Sequence, residues 1–280
     1  MERKNVYICM LAALLSCSDS VKVSRTLDAM PAIFPDYNGV VIPPNMAPLN
    51  FALDDQDAGS RAVFSFGGQQ FEVKGENGSI VIPPSKWKKL LESAAGDSIQ
   101  VTVQVKQGNE WVAYSPFAIR VAPEKVDSYL AYRLIDPGYE LWNKMGIYQR
   151  DLESYTQIPI IENKMSGNNC VNCHSFCMQD PNKMLFHMRE TFPGTILVDG
   201  DKIEKLNTKT KETISSLVYP SWHPSGKYVA FSVNTTKQAF HLNDRNRVEV
   251  YDEASDVVVY DVEKHEIVTA SNIFSKDAFE

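Results

Sequence analysis

The sequence predicts a mainly β protein built in two parts with a connector between them. Three observations carry this. Apolar and polar residues alternate across much of residues 40–121, the period of two that belongs to half-buried strands. Gly and Pro clusters cut those runs at short intervals, as turns do. A second set of alternating runs begins near residue 195 and continues to residue 269. Composition agrees with a folded chain. The 280 residues are 44% hydrophobic and 22% charged, and the length suffices for two domains.

The first strands are signalled by Val40, Val41 and Ile42, by residues 62–66, and by Phe71 and Val73 after them. Ile80 and Ile82 follow a turn cluster at residues 75–78. Ile99, Val101, Val103 and Val105 alternate cleanly, and Trp111, Ala113, Phe117, Ile119 and Val121 complete the series. Residues 84–95 break the pattern as a helix, with Ser85 as its N-cap and Gly96 as its stop. Short strands so spaced predict a β-sandwich over residues 38–122, which resembles an immunoglobulin- or fibronectin-type module. Such a module implies support and spacing, without chemistry of its own.

The N-terminus reads as an export leader. Arg3 and Lys4 precede an apolar stretch over residues 6–15 that is too short to span a bilayer. It ends in Leu14-Leu15-Ser16-Cys17, which resembles the lipobox of bacterial lipoproteins. That resemblance implies removal of residues 1–16, acylation of Cys17 and a lipidated linker over residues 17–37. The alternative is an ordinary secretory signal with a chance cysteine. Stable anchoring takes two or more acyl chains, so the expected protein is a tethered body on the periplasmic or cell-surface face of an envelope membrane, the outer membrane by preference. The formal charge is −7 and no long basic run appears, which argues against nucleic acid as a partner.

Residues 123–190 are expected to be a connector. Its first part is dense in Tyr129, Tyr132, Arg133, Tyr139, Trp142 and Arg150. These side chains can anchor a loop or line a cofactor. Beyond the leader and Cys17, the chain's cysteines are Cys170, Cys173 and Cys177, within eight residues. An exported protein that uses cysteine for disulfides scatters it.

Cys170-Val171-Asn172-Cys173-His174 spells C-x-x-C-H. Two thiols at this spacing reach the two vinyl groups of one porphyrin edge, and the following histidine sits beneath the iron. The motif therefore predicts one covalent haem c, held by Cys170 and Cys173, with His174 as proximal ligand. Three other readings stay open: a zinc corner of Cys170, Cys173, His174 and Cys177, an iron–sulfur corner, and a disulfide beside an ordinary histidine. Candidates for a sixth iron ligand are Met178, Met184, His187 and Met188, of which His187 is preferred. Arg189 is expected to pair with a haem propionate.

From about residue 191 the strands return. Tyr219-Pro220-Ser221-Trp222-His223-Pro224-Ser225-Gly226-Lys227, followed by Tyr228-Val229-Ala230-Phe231-Ser232, resembles the repeat of TolB-like β-propellers. His223 and Ser225 depart from that repeat, where Ser and Asp are usual. Residues 256–262 and 266–269 are expected to be two outer strands of the same blade, with Lys264 and His265 in the hairpin. Only one blade and part of another can be counted before residue 280. This reads as a truncated form of a longer propeller protein.

Leader, sandwich, haem motif and repeat together resemble exported bacterial lipoproteins that join a cytochrome-c-like site to a TolB-like propeller. The resemblance implies a membrane-tethered monohaem protein that passes single electrons to an envelope partner. No Ser/His/Asp set or carboxylate pair argues for hydrolysis. The contrasting expectation is a non-redox envelope lipoprotein that binds a partner. A third is a peroxidase- or sensor-like haem protein with an open coordination position.

Overall fold

A computed structural model describes residues 22–53, 59–135, 144–245 and 248–270. The chain is mainly β, as its alternation predicts, and forms two compact units. The first runs to Ser128 and recovers Leu152–Ser154; the second holds the remainder. The lipobox, with Cys17, lies outside the described residues, as do Tyr139 and Trp142. Among the described residues no helix is long and apolar enough to cross a membrane.

The first unit contains β1 (Val23–Thr26), β2 (Ile33–Phe34), β3 (Val41–Ile42), β4 (Phe51–Leu53), β5 (Ser60–Phe66), β6 (Gln69–Lys74), β7 (Ser79–Ile80), α1 (Pro84–Ala94), β8 (Ser98–Gln107), β9 (Glu110–Ala113) and β10 (Phe117–Val121). Strand β8 is the spine. It pairs with β5 along one edge, and with β10 and then β9 along the other. Ile99, Val101 and Val103 on β8 are fully buried, because residues two apart share a sheet face. They pack with Phe64, Ile80, Trp87 and Leu91 in one core. Strands β2, β4 and β7 form a separate three-stranded sheet.

This differs from the expected sandwich. The large sheet has seven strands and branches at β8, with parallel pairings at β1–β9 and β3–β10. An immunoglobulin-type module pairs two antiparallel sheets instead. The helix forms where expected, but Ser85 does not cap it. Pro83 is the N-cap and Pro84 the first helical residue, where a missing N–H costs nothing. Gly96 stops the helix at φ +84°, a conformation that glycine adopts freely. Trp87 anchors the helix, meeting Phe64 edge-to-face and donating its indole N–H to the Met46 carbonyl.

The second unit begins with β11 (Tyr129–Ile135), β12 (Met145–Asp151) and β13 (Gln157–Glu162), an antiparallel sheet where a connector was expected. Then come β14 (Cys170–Phe176), β15 (Lys183–Arg189), β16 (Gly194–Asp199) and β17 (Lys202–Leu206), a four-stranded meander. A second meander holds β18 (Val218–Trp222), β19 (Tyr228–Phe240), β20 (Val248–Asp261) and β21 (Glu266–Val268). The turn between β18 and β19 forms at the predicted Pro-Ser-Gly, with Gly226 at φ +70°.

The propeller expectation is corrected here. The sheets are separate and none closes or curls on itself. A propeller requires at least four sheets about one axis. The described residues of this unit supply three sheets, of three, four and four strands. Pairing of β15 with β16 also runs across the expected boundary at residue 190.

Trp87→Ala should destabilise the first unit by about 3–5 kcal/mol, the usual cost of emptying a large aromatic site. A urea titration followed by circular dichroism will show this as an earlier first transition. An unshifted midpoint would mean that α1 lies outside the core.

Candidate functional site

The three thiols lie on or directly after β14, which is an edge strand. Among the described residues it pairs with β15 alone, through Cys170–Arg189, Val171–Met188 and Asn172–His187, and then through Ser175–Leu185 and Phe176–Met184. Between these two runs, Cys173 and His174 stand opposite the single residue Phe186. That is a β-bulge, and Cys173 takes φ +50° within it. The bulge releases Cys173 and His174 from the ladder while Cys170 stays in it. All three cysteines are free thiols.

Strand β15 decides which way the neighbours face. Met184, Phe186 and Met188 share a core with Val171, Ile196 and Ile147 of β12. Leu185 packs on the other face, with Leu197, Leu217, Val229 and Phe231. His187 and Arg189 follow Leu185 in the alternation. Met184, Met188 and His187 are therefore interior side chains of a sheet covered on both sides.

His174 belongs to the opposite side. One of its ring nitrogens hydrogen-bonds the Ala131 carbonyl of β11, and its ring meets Phe176 edge-on at 6.4 Å. Burial lowers its pKa below the ordinary histidine value, the Ala131 bond partly restores it, and the Arg133 guanidinium lowers it again. The ring is therefore held neutral, with one nitrogen committed to a carbonyl. Burial raises the Cys170 thiol pKa, against the opposing pull of Arg189 and, more weakly, Arg133. Arg133 thus lies within electrostatic reach of both Cys170 and His174. The structure brings Cys173, His174 and Arg133 to one side, whereas Cys170, paired with Arg189, starts the ladder on the opposite face.

It does not bring His174 and His187 together. His187 is only 3% exposed, and its Nδ1 lies 3.1 Å from Thr195 Oγ1 on β16. Thr195 Oγ1 gives its single hydrogen to the Leu217 carbonyl at 3.1 Å, so His187 Nδ1 must be the donor to Thr195. Sixth-ligand duty for His187 would require it to face His174 across the sheet that separates them. Arg189 also lies on the His187 side.

Cys177 is buried beneath the β18–β19 turn. A side chain at Gly226 would approach its Sγ to 3.2 Å. Trp222 Nε1 donates to the Ser175 carbonyl at 3.1 Å and ties β14 to the second meander. Cys177 is thus a small core side chain. Among the described residues no three His, Cys, Asp or Glu side chains converge to hold a metal ion. The zinc corner and the broader expectation of a protein-built metal cluster are corrected accordingly: β14 is extended, so its successive side chains diverge.

Two features of the site left little trace in the sequence. The Ala131 carbonyl is a backbone group and carries no residue signal. Asn169, next to Cys170, is fully buried; its Oδ1 accepts the Phe192 N–H, while its Nδ2 has no partner among the described residues. An orphaned buried donor costs about 1–3 kcal/mol, so this one fits an acceptor brought by a bound group.

His187 yields a pH prediction. Burial, assisted by Arg189, holds its pKa at about 4, against an ordinary 6.5. Between those values the unfolded chain takes up a proton that the folded chain refuses. Stability is therefore complete above pH 6.5, falls as pH drops through the window, and levels off below 4. The loss should reach about 3 kcal/mol at most. Urea unfolding at pH 7 and pH 4.5 should show this decrement in the wild type and a smaller one in His187→Gln. Equal decrements would contradict a buried neutral imidazole.

No family model, no curated protein and no solved structure matches the chain. With the sheets unclosed, the resemblance to cytochrome-c-like lipoproteins with a TolB-like propeller is withdrawn.

Proposed function

We propose that the chain carries one covalent haem c on Cys170 and Cys173 and serves one-electron transfer in the cell envelope. The observation that supports this is a pair of free thiols, three residues apart, beside an imidazole whose ring is fixed by a backbone carbonyl. A carbonyl bond of this kind sets the tautomer of a ligating histidine and leaves its other nitrogen available.

The group would be held by residues at the start and in the bulge of β14. Cys170 and Cys173 would hold the haem through thioether links, and His174 would ligate its iron. The bulge at Cys173 gives that thiol freedom to reach outward, while Cys170 stays anchored in the ladder. Neutral His174 keeps the lone pair that an iron ligand needs. Arg133 and the free Nδ2 of Asn169 offer a cation and a donor to carboxylate oxygens. When bound, the haem supplies a one-electron iron couple tuned by its ligands and burial. Arg133 takes the propionate role first given to Arg189, because it lies on the His174 side. The leader and Cys17 support export and a lipid tether, with an envelope redox protein as partner.

The test is expression of the full chain in a host that matures haem c outside the cytoplasm, followed by acid–acetone extraction and a pyridine haemochrome spectrum. The wild type should keep its chromophore on the polypeptide. The Cys170→Ser, Cys173→Ser double variant should lose it entirely. A colourless wild-type protein, from cells that mature a control haem protein, would overturn the proposal and favour a non-redox binding lipoprotein.

A further inference from the structure

A cleft of about 340 Å³ opens on the face of β15 turned away from His174. His187 and Arg189 line it from β15, Ser215 from the segment entering β18, Tyr219 from β18 itself, and Asn234 and Gln238 from β19. Its volume falls in the range of small-molecule sites. Nothing in the haem proposal uses it.

Three features of the cleft point to one kind of ligand. The first is His187. Its Nδ1 hydrogen goes to Thr195, so its Nε2 is a bare lone pair, without a partner among the described residues, on a side chain 3% exposed. A lone pair so placed asks for a hydroxyl or amide hydrogen and repels an unprotonated anionic oxygen. The second is Arg189, which forms no ion pair among the described residues and supplies a planar donor fork for a carboxylate. The third is Tyr219. It is 59% exposed and held at φ +52°, a conformation that a bulky side chain adopts only under strain. Strain of that kind gathers at binding sites, and it holds an aromatic ring at the cleft.

The remaining groups agree. Asn234 Oδ1 accepts the Ser232 hydroxyl, which leaves its amide hydrogens free to donate. Gln238 and Ser215 add further hydroxyl-reading groups, and Glu190 at the mouth can accept hydroxyl hydrogens. A phosphodiester would satisfy Arg189 but present no hydrogen to His187. A neutral sugar would satisfy His187 but leave Arg189 without its anion.

We propose that this cleft binds an acidic sugar: a pyranose whose hydroxyl donates to His187 Nε2, whose carboxylate pairs with Arg189, and whose C–H face rests on Tyr219.

The test is calorimetric titration of the full chain, in detergent, with D-galacturonate, D-glucuronate, D-galactose and the open-chain acid D-gluconate. At least one uronate should saturate below about 10 mM, with galactose and gluconate weaker by about tenfold or more. Arg189→Gln should abolish the preference for the uronate over galactose. Tyr219→Asn should weaken uronate binding about tenfold while keeping the thermal midpoint, since Asn tolerates the left-handed conformation. Long-range proton–nitrogen NMR should show the His187 Nε2 resonance moving on uronate addition. Absence of uronate binding, equal affinity for galactose or gluconate, or insensitivity to both substitutions would each overturn the proposal.

Discussion

Burial of β15 on both faces is the constraint on which the second unit depends. Met184, Phe186 and Met188 fill one core, and Leu185 fills the other, so the strand cannot rotate or slip by one residue without turning each set into the wrong layer. That fixes the neighbours in turn. Its partner β14 becomes the outer strand on one side, and β16 supplies Thr195 to the one polar side chain that β15 buries.

From this follows a division of chemistry between two sides of one sheet. On the side of β11, the bulge turns Cys173 and His174 out of the ladder, close to Arg133 and the Ala131 carbonyl. On the side of the second meander, His187 and Arg189 face a polar cleft bounded by β18 and β19. The two sets are separated by one layer of backbone, so each can be altered without direct contact with the other. Arg189 acts electrostatically on both Cys170 and His187.

Much of the strand order was legible because one face of most strands is buried. Residues 99–105 alternate, and the structure buries Ile99, Val101, Val103 and Val105 together. The connector hid its strands for the opposite reason. Strand β11 is half-buried or exposed along its whole length, and so is β13, so no period of two was available to find. Residues 184–188 misled in another way. A strand buried on both faces reads as a continuous apolar run, and its Met and His residues then look like spare ligands. The repeat around Trp222 forecast its own turn and adjoining strands correctly, because those are local. Ring closure is a property of many sheets, which one repeat cannot specify. The cysteines were legible as a cluster, whereas the divergence of their side chains follows only from β14 being extended.

The proposed haem attachment uses Cys170 and Cys173 and no other pair. Tryptic cleavage after Lys164 and Lys183 releases both in the single peptide spanning residues 165–183. Mass spectrometry of that peptide, from chain matured outside the cytoplasm, tests the claim most directly. The peptide should carry one added haem, linked through Cys170 and Cys173 with Cys177 unmodified. A peptide carrying three unmodified thiols, or a disulfide among them, would contradict it.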